Sequence, residues 1–122
     1  MIKFSRGDIV KVDLDGAKGH ETQNDSKINS RLCLVIQNER GNQVSPLAIV
    51  APITGIDQFK SLPVQVAVRG ADLGPLHQDS SIECGQIRTI DRGTRVISNI
   101  GKLSEGIMEL VDAAIKKSLG LT

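Results

Sequence analysis

The segment RLCLVIQN, residues 31–38, is an almost continuous apolar run that begins with an arginine. Runs of this kind are typical of a strand that is buried on both faces of a sheet. A second such run, LAIVAPIT, occupies residues 47–54, and Pro52 within it indicates a sheet edge or a bulge. The segment ERGNQVSP (39–46) has the composition of a turn. The chain is therefore expected to join two buried strands at this point.

Shorter strand patterns lie on either side of this pair. GDIVKVDL (7–14) follows a Gly-Asp turn signal, and PVQVAVRG (63–70) alternates cleanly between apolar and other residues. SIECGQIRTI (81–90) predicts one or two short strands broken near Gly85. DRGTRVISNI (91–100) predicts a turn followed by a short extended piece.

The C-terminal region has a helical pattern. Apolar residues recur at helical spacing in KLSEGIMELVDAAIKKSLG, residues 102–120. Ser104 is a suitable N-cap, and Gly120 suits the left-handed position after the helix. GIDQFKSL (55–62) has room for one helical turn.

Short strands followed by a terminal helix indicate a mostly β or α+β fold. With about five to seven strands, we expect a small SH3-like barrel or a curled antiparallel sheet, because curling hides strand edges. A length of 122 residues suits one domain spanning 1–122.

Composition limits the functions that the chain can perform. The formal net charge is +1, and there are two phenylalanines with no Trp or Tyr. The chain therefore shows neither a global basic field nor an aromatic platform for stacking bases. Cys33 and Cys84 lack the paired spacing of a zinc site, and a buried free thiol is expected, with a disulfide as the less favoured alternative. We expect no metal or cofactor.

The sequence also bears on location. MIKFSRGDIVKV at the N-terminus has no apolar core of a signal peptide, and no run of apolar residues is long enough to span a membrane. We therefore expect a cytoplasmic protein with no membrane partner.

A long polar segment, DGAKGHETQNDSKINS (15–30), separates the first strand from RLCLVIQN. Connections of this length without regular structure are usually functional or disordered. Taken alone, Arg31 at the end of this segment suits a solvated charge at a strand end, and Thr54 before Gly55 suits a turn-forming threonine.

Several strings occur in an order that resembles the MazF/PemK family of toxin endoribonucleases. They are RGD (6–8), GHE (19–21), VIQN (35–38), SPLAIVAPIT (45–54), QIRTID (86–91) and SLGL (118–121). The resemblance covers essentially the whole chain. It implies a small barrel-like β-sheet with a few helices, acting as a homodimer and inhibited by a cognate antitoxin protein. It also implies sequence-specific cleavage of single-stranded mRNA through the substrate 2′-OH, without the ribosome and without metal.

The resemblance assigns roles to particular residues. It implies that Arg31 and Thr54 are catalytic: the guanidinium would hold the scissile phosphate and the hydroxyl would orient it. The residues implied in RNA binding are His20, Glu21, Gln86, Arg88 and Thr89. Arg88 and Asp91 are interpreted as a structural charge pair, and His77 is assigned no role.

The chain departs from the family pattern around its loop. Thr22 stands in place of the usual Gln, Leu32 replaces the Pro that follows the arginine, and the loop is longer than usual. The acidic–basic pair that one branch of the family has before QIRTID is missing, since Glu83 and Gly85 occupy those positions.

Two other functions fit the same pattern. A non-catalytic module of this fold would bind an antitoxin or another protein partner without cleaving RNA. A related toxin fold acts on a topoisomerase instead, although QIRTID with Arg31 and Thr54 favours RNA.

Overall fold

A computed structural model describes residues 1–72 and 78–121; His77 therefore lies outside the described residues. Seven strands are present in this part of the chain: β1 Asp8–Val12, β2 Arg31–Val35, β3 Leu47–Gly55, β4 Gln65–Val68, β5 Ser80–Glu83, β6 Arg88–Asp91 and β7 Val96–Lys102. The helices are α1 Glu39–Val44, α2 Arg92–Arg95 and α3 Glu105–Ser118, and a 3-10 turn covers Ile56–Gln58.

The strands form one open antiparallel sheet with a terminal helix, which confirms the predicted fold class. Its order is β4-β5-β3-β2-β1-β7, and β6 also pairs with β3. The central strand, β3, pairs with β2 through residues 50–52. Along its other side it pairs first with β6 through residues 47–50 and then with β5 through residues 53–55.

Pro52 is not at an edge of the sheet. It is buried and pairs with Cys33 of β2 in the middle of the molecule. On the other side of β3 it falls between the last residue paired with β6 and the first paired with β5. A residue without a backbone N–H is tolerated at such a change of strand partner.

Apolar residues fill both faces of the sheet, as the continuous run of β2 predicts. Leu34, Ile53 and Ile82 belong to the cluster that packs under α3. Cys33 and Val50 belong to a second cluster on the opposite face. Alternate residues of β2 therefore enter two different cores, and the strand has no wet face along its buried part.

The terminal helix is confirmed together with its predicted ends. The Ser104 side chain accepts a hydrogen bond from the Ile107 amide at 3.3 Å, and Gly120 has φ +71°. Val111 and Ala114 are buried against the sheet. Among the residues described, no helix is both long and apolar enough to cross a membrane.

The turn predicted between β2 and β3 is wrong, because residues 39–44 form α1. The Asn38 side chain caps this helix by accepting from the Gly41 amide at 2.8 Å. Buried Asn42 ties it to the segment that follows β2 by donating to the Gln37 carbonyl at 3.0 Å. A cap followed by one polar helical turn has the same composition as a loop, which is why the sequence indicated a turn.

The two cysteines are free and buried, as predicted. Burial raises the pKa of Cys33 to about 12, and burial also raises that of Cys84 to about 12. A thiol with so high a pKa is not a nucleophile at neutral pH. Both residues are therefore packing residues.

Candidate functional site

The predicted catalytic residues are neighbours across the sheet. Cys33 pairs with Pro52, so the same register continued by two residues brings Arg31 opposite Thr54. Thr54 in turn pairs with Ser81 on β5. Side chains directly opposite in antiparallel strands share a face. Arg31, Thr54 and Ser81 therefore form one row across β2, β3 and β5, called the strand row below.

Two backbone carbonyls fix the Arg31 guanidinium. Its Nε donates to the Gln23 carbonyl at 2.8 Å, and Nη1 donates to the Ile53 carbonyl at 3.4 Å. Among the described residues, neither ion pair of the structure involves Arg31. Its charge is thus oriented by neutral acceptors and is not cancelled by a carboxylate, and three of its five N–H groups remain for a ligand.

Thr54 is half-buried beside this cation. Its Oγ1 donates to the Ser81 carbonyl at 3.4 Å, a long hydrogen bond that orients the hydroxyl along the strand row. The oxygen keeps its acceptor capacity and can exchange this weak partner for a stronger one.

Arg31 and Thr54 of the strand row line a cavity of about 570 Å³. This volume lies in the range of small-ligand sites. The cavity brings together five of the seven residues that the sequence proposed for the site: His20, Glu21, Arg31, Thr54 and Gln86. It lies where the long 15–30 segment (hereafter the loop) folds over the ends of β2 and β3.

Within the loop, His20 and Glu21 are both exposed. Glu21 Oε1 accepts from the Lys18 amide at 2.9 Å, and the Glu21 amide donates to the Lys18 carbonyl at 3.0 Å. Glu21 thus closes a tight turn that presents His20 to solvent beside the cavity.

Gln86 uses both ends of its side-chain amide on the loop. Its Nε2 donates to the His20 carbonyl at 3.1 Å, and its Oε1 accepts from the Thr22 amide at 3.2 Å. The resemblance implied that this residue binds RNA. In the structure its polar atoms bind protein backbone.

Arg88 and Thr89 lie apart from the strand row. Arg88 lines a neighbouring cavity of about 400 Å³, which shares Glu21, Thr22 and Gln86 with the first. Thr89 is exposed on β6 and lines neither of these two cavities. The structure therefore places Arg88 in a cavity with Glu21 and Gln86, and it leaves Thr89 outside both cavities.

The expected charge pair between Arg88 and Asp91 is wrong. Among the described residues no ion pair joins them. Asp91 Oδ2 instead accepts from the Thr94 amide at 2.9 Å and from its hydroxyl at 2.7 Å. These hydrogen bonds from Thr94 lower the pKa of Asp91, which serves as the N-cap of α2.

Several residues that the sequence did not single out also line the first cavity, and they decide its charge. Two cations, Lys27 and Arg31, face four carboxylates, which are Glu21, Asp25, Asp57 and Glu83. The cavity of the single chain is thus mixed in sign with an excess of carboxylates. A locally basic groove, the kind of surface expected for RNA, is not found there.

Glu83 makes more side-chain hydrogen bonds than the other three carboxylates. Its Oε2 accepts from the Ser81 hydroxyl at 2.6 Å, and its Oε1 accepts from Gln65 Nε2 at 2.8 Å. The alternation of β5 puts it on the same face as Ser81. That alternation is visible in the sequence, but the pairing of β5 with β3, which brings it to the site, is not.

No metal centre is indicated by the part of the chain that the structure describes. It contains no group of three or more His, Cys, Asp or Glu residues arranged to hold a metal ion.

Comparisons with known proteins agree with this fold. Residues 5–119 match the family described as PemK-like, MazF-like toxin of type II toxin-antitoxin system. The chain is 40% identical over 116 residues to endoribonuclease EndoA of Bacillus subtilis, covering 95% of this chain and 94% of that protein.

Solved structures share the architecture at lower identity. MazF from Deinococcus radiodurans superimposes with a TM-score of 0.80 at 21% identity, covering 98% of this chain and 99% of that one. An endoribonuclease in complex with its cognate antitoxin, from a mycobacterial species, gives 0.75 at 18% identity, covering 98% and 97%. With the match over residues 5–119 and the 40% identity to EndoA, the chain belongs to the family of PemK-like, MazF-like toxins of type II toxin–antitoxin systems.

Proposed function

We propose that this chain is a sequence-specific endoribonuclease, the toxin of a type II toxin–antitoxin pair, and that residues 1–122 form one toxin domain. It cleaves single-stranded mRNA in the cytoplasm through the substrate 2′-OH, without metal and without the ribosome. Family membership and the 40% identity to endoribonuclease EndoA support the endoribonuclease activity.

One observation carries the proposed chemistry. Arg31 and Thr54 face one cavity from neighbouring strands, and the Arg31 guanidinium is held by carbonyls with no carboxylate paired to it among the described residues. A planar cation with free N–H groups can grip two phosphate oxygens at once. It remains charged at any working pH and so stabilises the extra negative charge of a phosphorane.

The reaction is an internal transesterification. The 2′-oxygen attacks the adjacent phosphorus while the bond from phosphorus to the 5′-oxygen breaks. The products are a 2′,3′-cyclic phosphate and a free 5′-hydroxyl, and the proton lost by the 2′-OH is balanced by the one gained at the 5′-oxygen. Arg31 stabilises the charged intermediate, and the Thr54 hydroxyl orients the phosphate beside it.

Proton transfer needs a group that gains and loses protons. Among the cavity residues, His20 has the side chain best suited to do so near neutral pH. Its exposed position on the loop lets it approach either the 2′-oxygen or the 5′-oxygen. His20→Ala should therefore flatten the pH dependence of the cleavage rate relative to the wild type.

The proposed partners are a second copy of the chain, in a homodimer, and a cognate antitoxin. Support comes from solved relatives of the same fold: the mycobacterial endoribonuclease with its antitoxin, and MazE-MazF of Deinococcus radiodurans, which covers 100% of both chains at 20% identity with a TM-score of 0.73. Because the cavity carries only two cations, we expect RNA affinity to fall less steeply with salt than for a basic groove.

The test is cleavage of a long RNA by the purified protein in excess EDTA, with the cut ends mapped. The proposal predicts cutting at a short repeated sequence, with 5′-hydroxyl and cyclic phosphate ends. A 2′-deoxy nucleotide at the cut site should block cleavage. Loss of cutting in EDTA would contradict metal independence. If no RNA were cut, a non-catalytic module that binds a protein partner would be the better account.

A further inference from the structure

Gln86 is the only residue outside the loop, apart from Arg31, whose side chain hydrogen-bonds residues 18–23 among those the structure describes. The ends of the loop are held differently. At its start, the Leu14 amide donates to Asn24 Oδ1 at 2.8 Å. Near its finish, the Asp25 amide donates to the Ser30 carbonyl at 2.8 Å. Between these anchors, the middle of the loop rests on two side chains.

These two side chains bind adjacent residues of the loop. Gln86 Oε1 accepts from the Thr22 amide at 3.2 Å, and Arg31 Nε donates to the carbonyl of the next residue, Gln23, at 2.8 Å. A displacement of Thr22 therefore moves the carbonyl that orients the guanidinium. The two contacts are on neighbouring residues, so only a short stretch of backbone joins the atom held by Gln86 to the carbonyl that orients Arg31.

Gln86 itself is on a rigid support. Its amide donates to the Glu83 carbonyl at 3.0 Å, and the Cys84 amide donates to the Val64 carbonyl at 2.9 Å. Gly85 packs so closely on Val64 that a Cβ there would lie 2.9 Å from Val64 Cγ2. The turn between β5 and β6 is thus packed against Val64, the residue before β4, and this contact sets the position of Gln86.

We infer that Gln86 is a positioning residue: it clamps the loop at His20 and Thr22 and, through the Gln23 carbonyl, holds Arg31 in its reactive orientation. This role rests on the proposed function, since it concerns the residue assigned to the chemistry. It differs from reading a base, because both polar ends of the side chain are already bound to backbone.

The first test needs no RNA. In the free protein, Gln86→Ala should make the Thr22 amide and the Arg31 Nε–H exchange with solvent about 2- to 10-fold faster, the change expected for a lost hydrogen bond. The measurement is hydrogen exchange by NMR. Gln43→Ala is the matched control, because Gln43 is exposed on α1 and its side chain makes no hydrogen bond to the loop among the described residues.

The second test uses cleavage of RNA under saturating conditions. Gln86→Ala should lower kcat by about 10- to 100-fold with KM within about 3-fold, because a small misplacement of a catalytic group slows the step without weakening binding. The cleaved sequence should stay the same. Gln86→Glu keeps the acceptor for the Thr22 amide but loses the donor to the His20 carbonyl. Its decrease in kcat should therefore be smaller than that of Gln86→Ala.

The outcomes separate the possible failures. Unchanged exchange at Arg31 Nε–H would overturn the positioning role, as would a normal kcat with a relaxed cleavage sequence, which is the signature of a base contact. If the wild type cut no RNA, the proposed function would fail while the exchange measurement would still decide whether the clamp exists. Melting curves of all three variants verify that the fold is intact.

Discussion

The strand row and the loop that covers it are built in opposite ways. Arg31, Thr54 and Ser81 project from paired strands whose alternate residues fill two cores. The loop is mostly exposed and is held by a few hydrogen bonds at its ends and by Gln86 in its middle. The difference teaches that the proposed chemistry rests on well-packed strands and that access to it depends on a weakly held loop, a division common in enzymes.

Truncating a buried side chain on the strands that carry the strand row should destabilise the whole fold. Leu34 is fully buried on β2 under α3, so Leu34→Ala should lower the free energy of unfolding by about 2–5 kcal/mol. Denaturant titration measures this. Leu47, which is 44% exposed on β3, is the matched control, and Leu47→Ala should change it by less than about 1 kcal/mol. Equal losses would contradict the burial described here.

The Thr54 hydroxyl should affect the rate of RNA cleavage more than it affects the stability of the fold. Thr54→Val keeps the shape of the side chain and removes the oxygen that faces Arg31. We expect cleavage to slow by about 10- to 100-fold with little change in melting temperature. Thr94→Val is the control, since the Thr94 hydroxyl bonds Asp91 at α2, outside the cavity. A wild-type rate in Thr54→Val would remove Thr54 from the chemistry.

Removing the hydrogen bonds of Asn24 should loosen the loop. Asn24 accepts from the Leu14 amide at 2.8 Å and donates to Asp13 Oδ1 at 2.9 Å. Asn24→Ala should destabilise the protein by about 1–2 kcal/mol and speed amide exchange in the loop. Amides of β2 should still exchange far more slowly than those of the loop, because β2 opens only when the cores open. Equal exchange rates in both would show that the loop and the strands unfold together.

Acid should weaken the same anchor. The hydrogen bond from Asn24, followed by that from the Asp15 amide, lowers the pKa of Asp13 below its ordinary value of 3.8. A carboxyl with a lowered pKa in the folded state stabilises it fully above the ordinary pKa, and loses this as pH falls through the lowered value. The difference in melting temperature between wild type and Asp13→Ala should therefore be constant above about pH 5 and shrink below pH 3.8.

The sequence predicted the strands and the terminal helix well, because their periodicity is local. It missed α1, whose polar turn and Asn38 cap have the composition of a loop. It also predicted an ion pair between Arg88 and Asp91, whereas the Asp91 carboxylate accepts hydrogen bonds from Thr94 and caps α2. In the site, the resemblance indicated Arg31 and Thr54, but pairing of strands distant in the chain brings Glu83 and Gln86 to the same cavity. The pairing of distant strands depends on tertiary packing, which the periodicity of the sequence does not determine.

The measurement that bears most directly on the strand row is the single-turnover cleavage rate of Arg31→Ala at saturating RNA. Binding is measured separately with a 2′-deoxy oligonucleotide that cannot be cut. We predict a rate lowered by at least about 10²-fold, with binding of the uncut strand weakened by less than about 10-fold and the melting temperature nearly unchanged. A rate close to that of the wild type, or a loss explained entirely by binding, would contradict a catalytic role for Arg31.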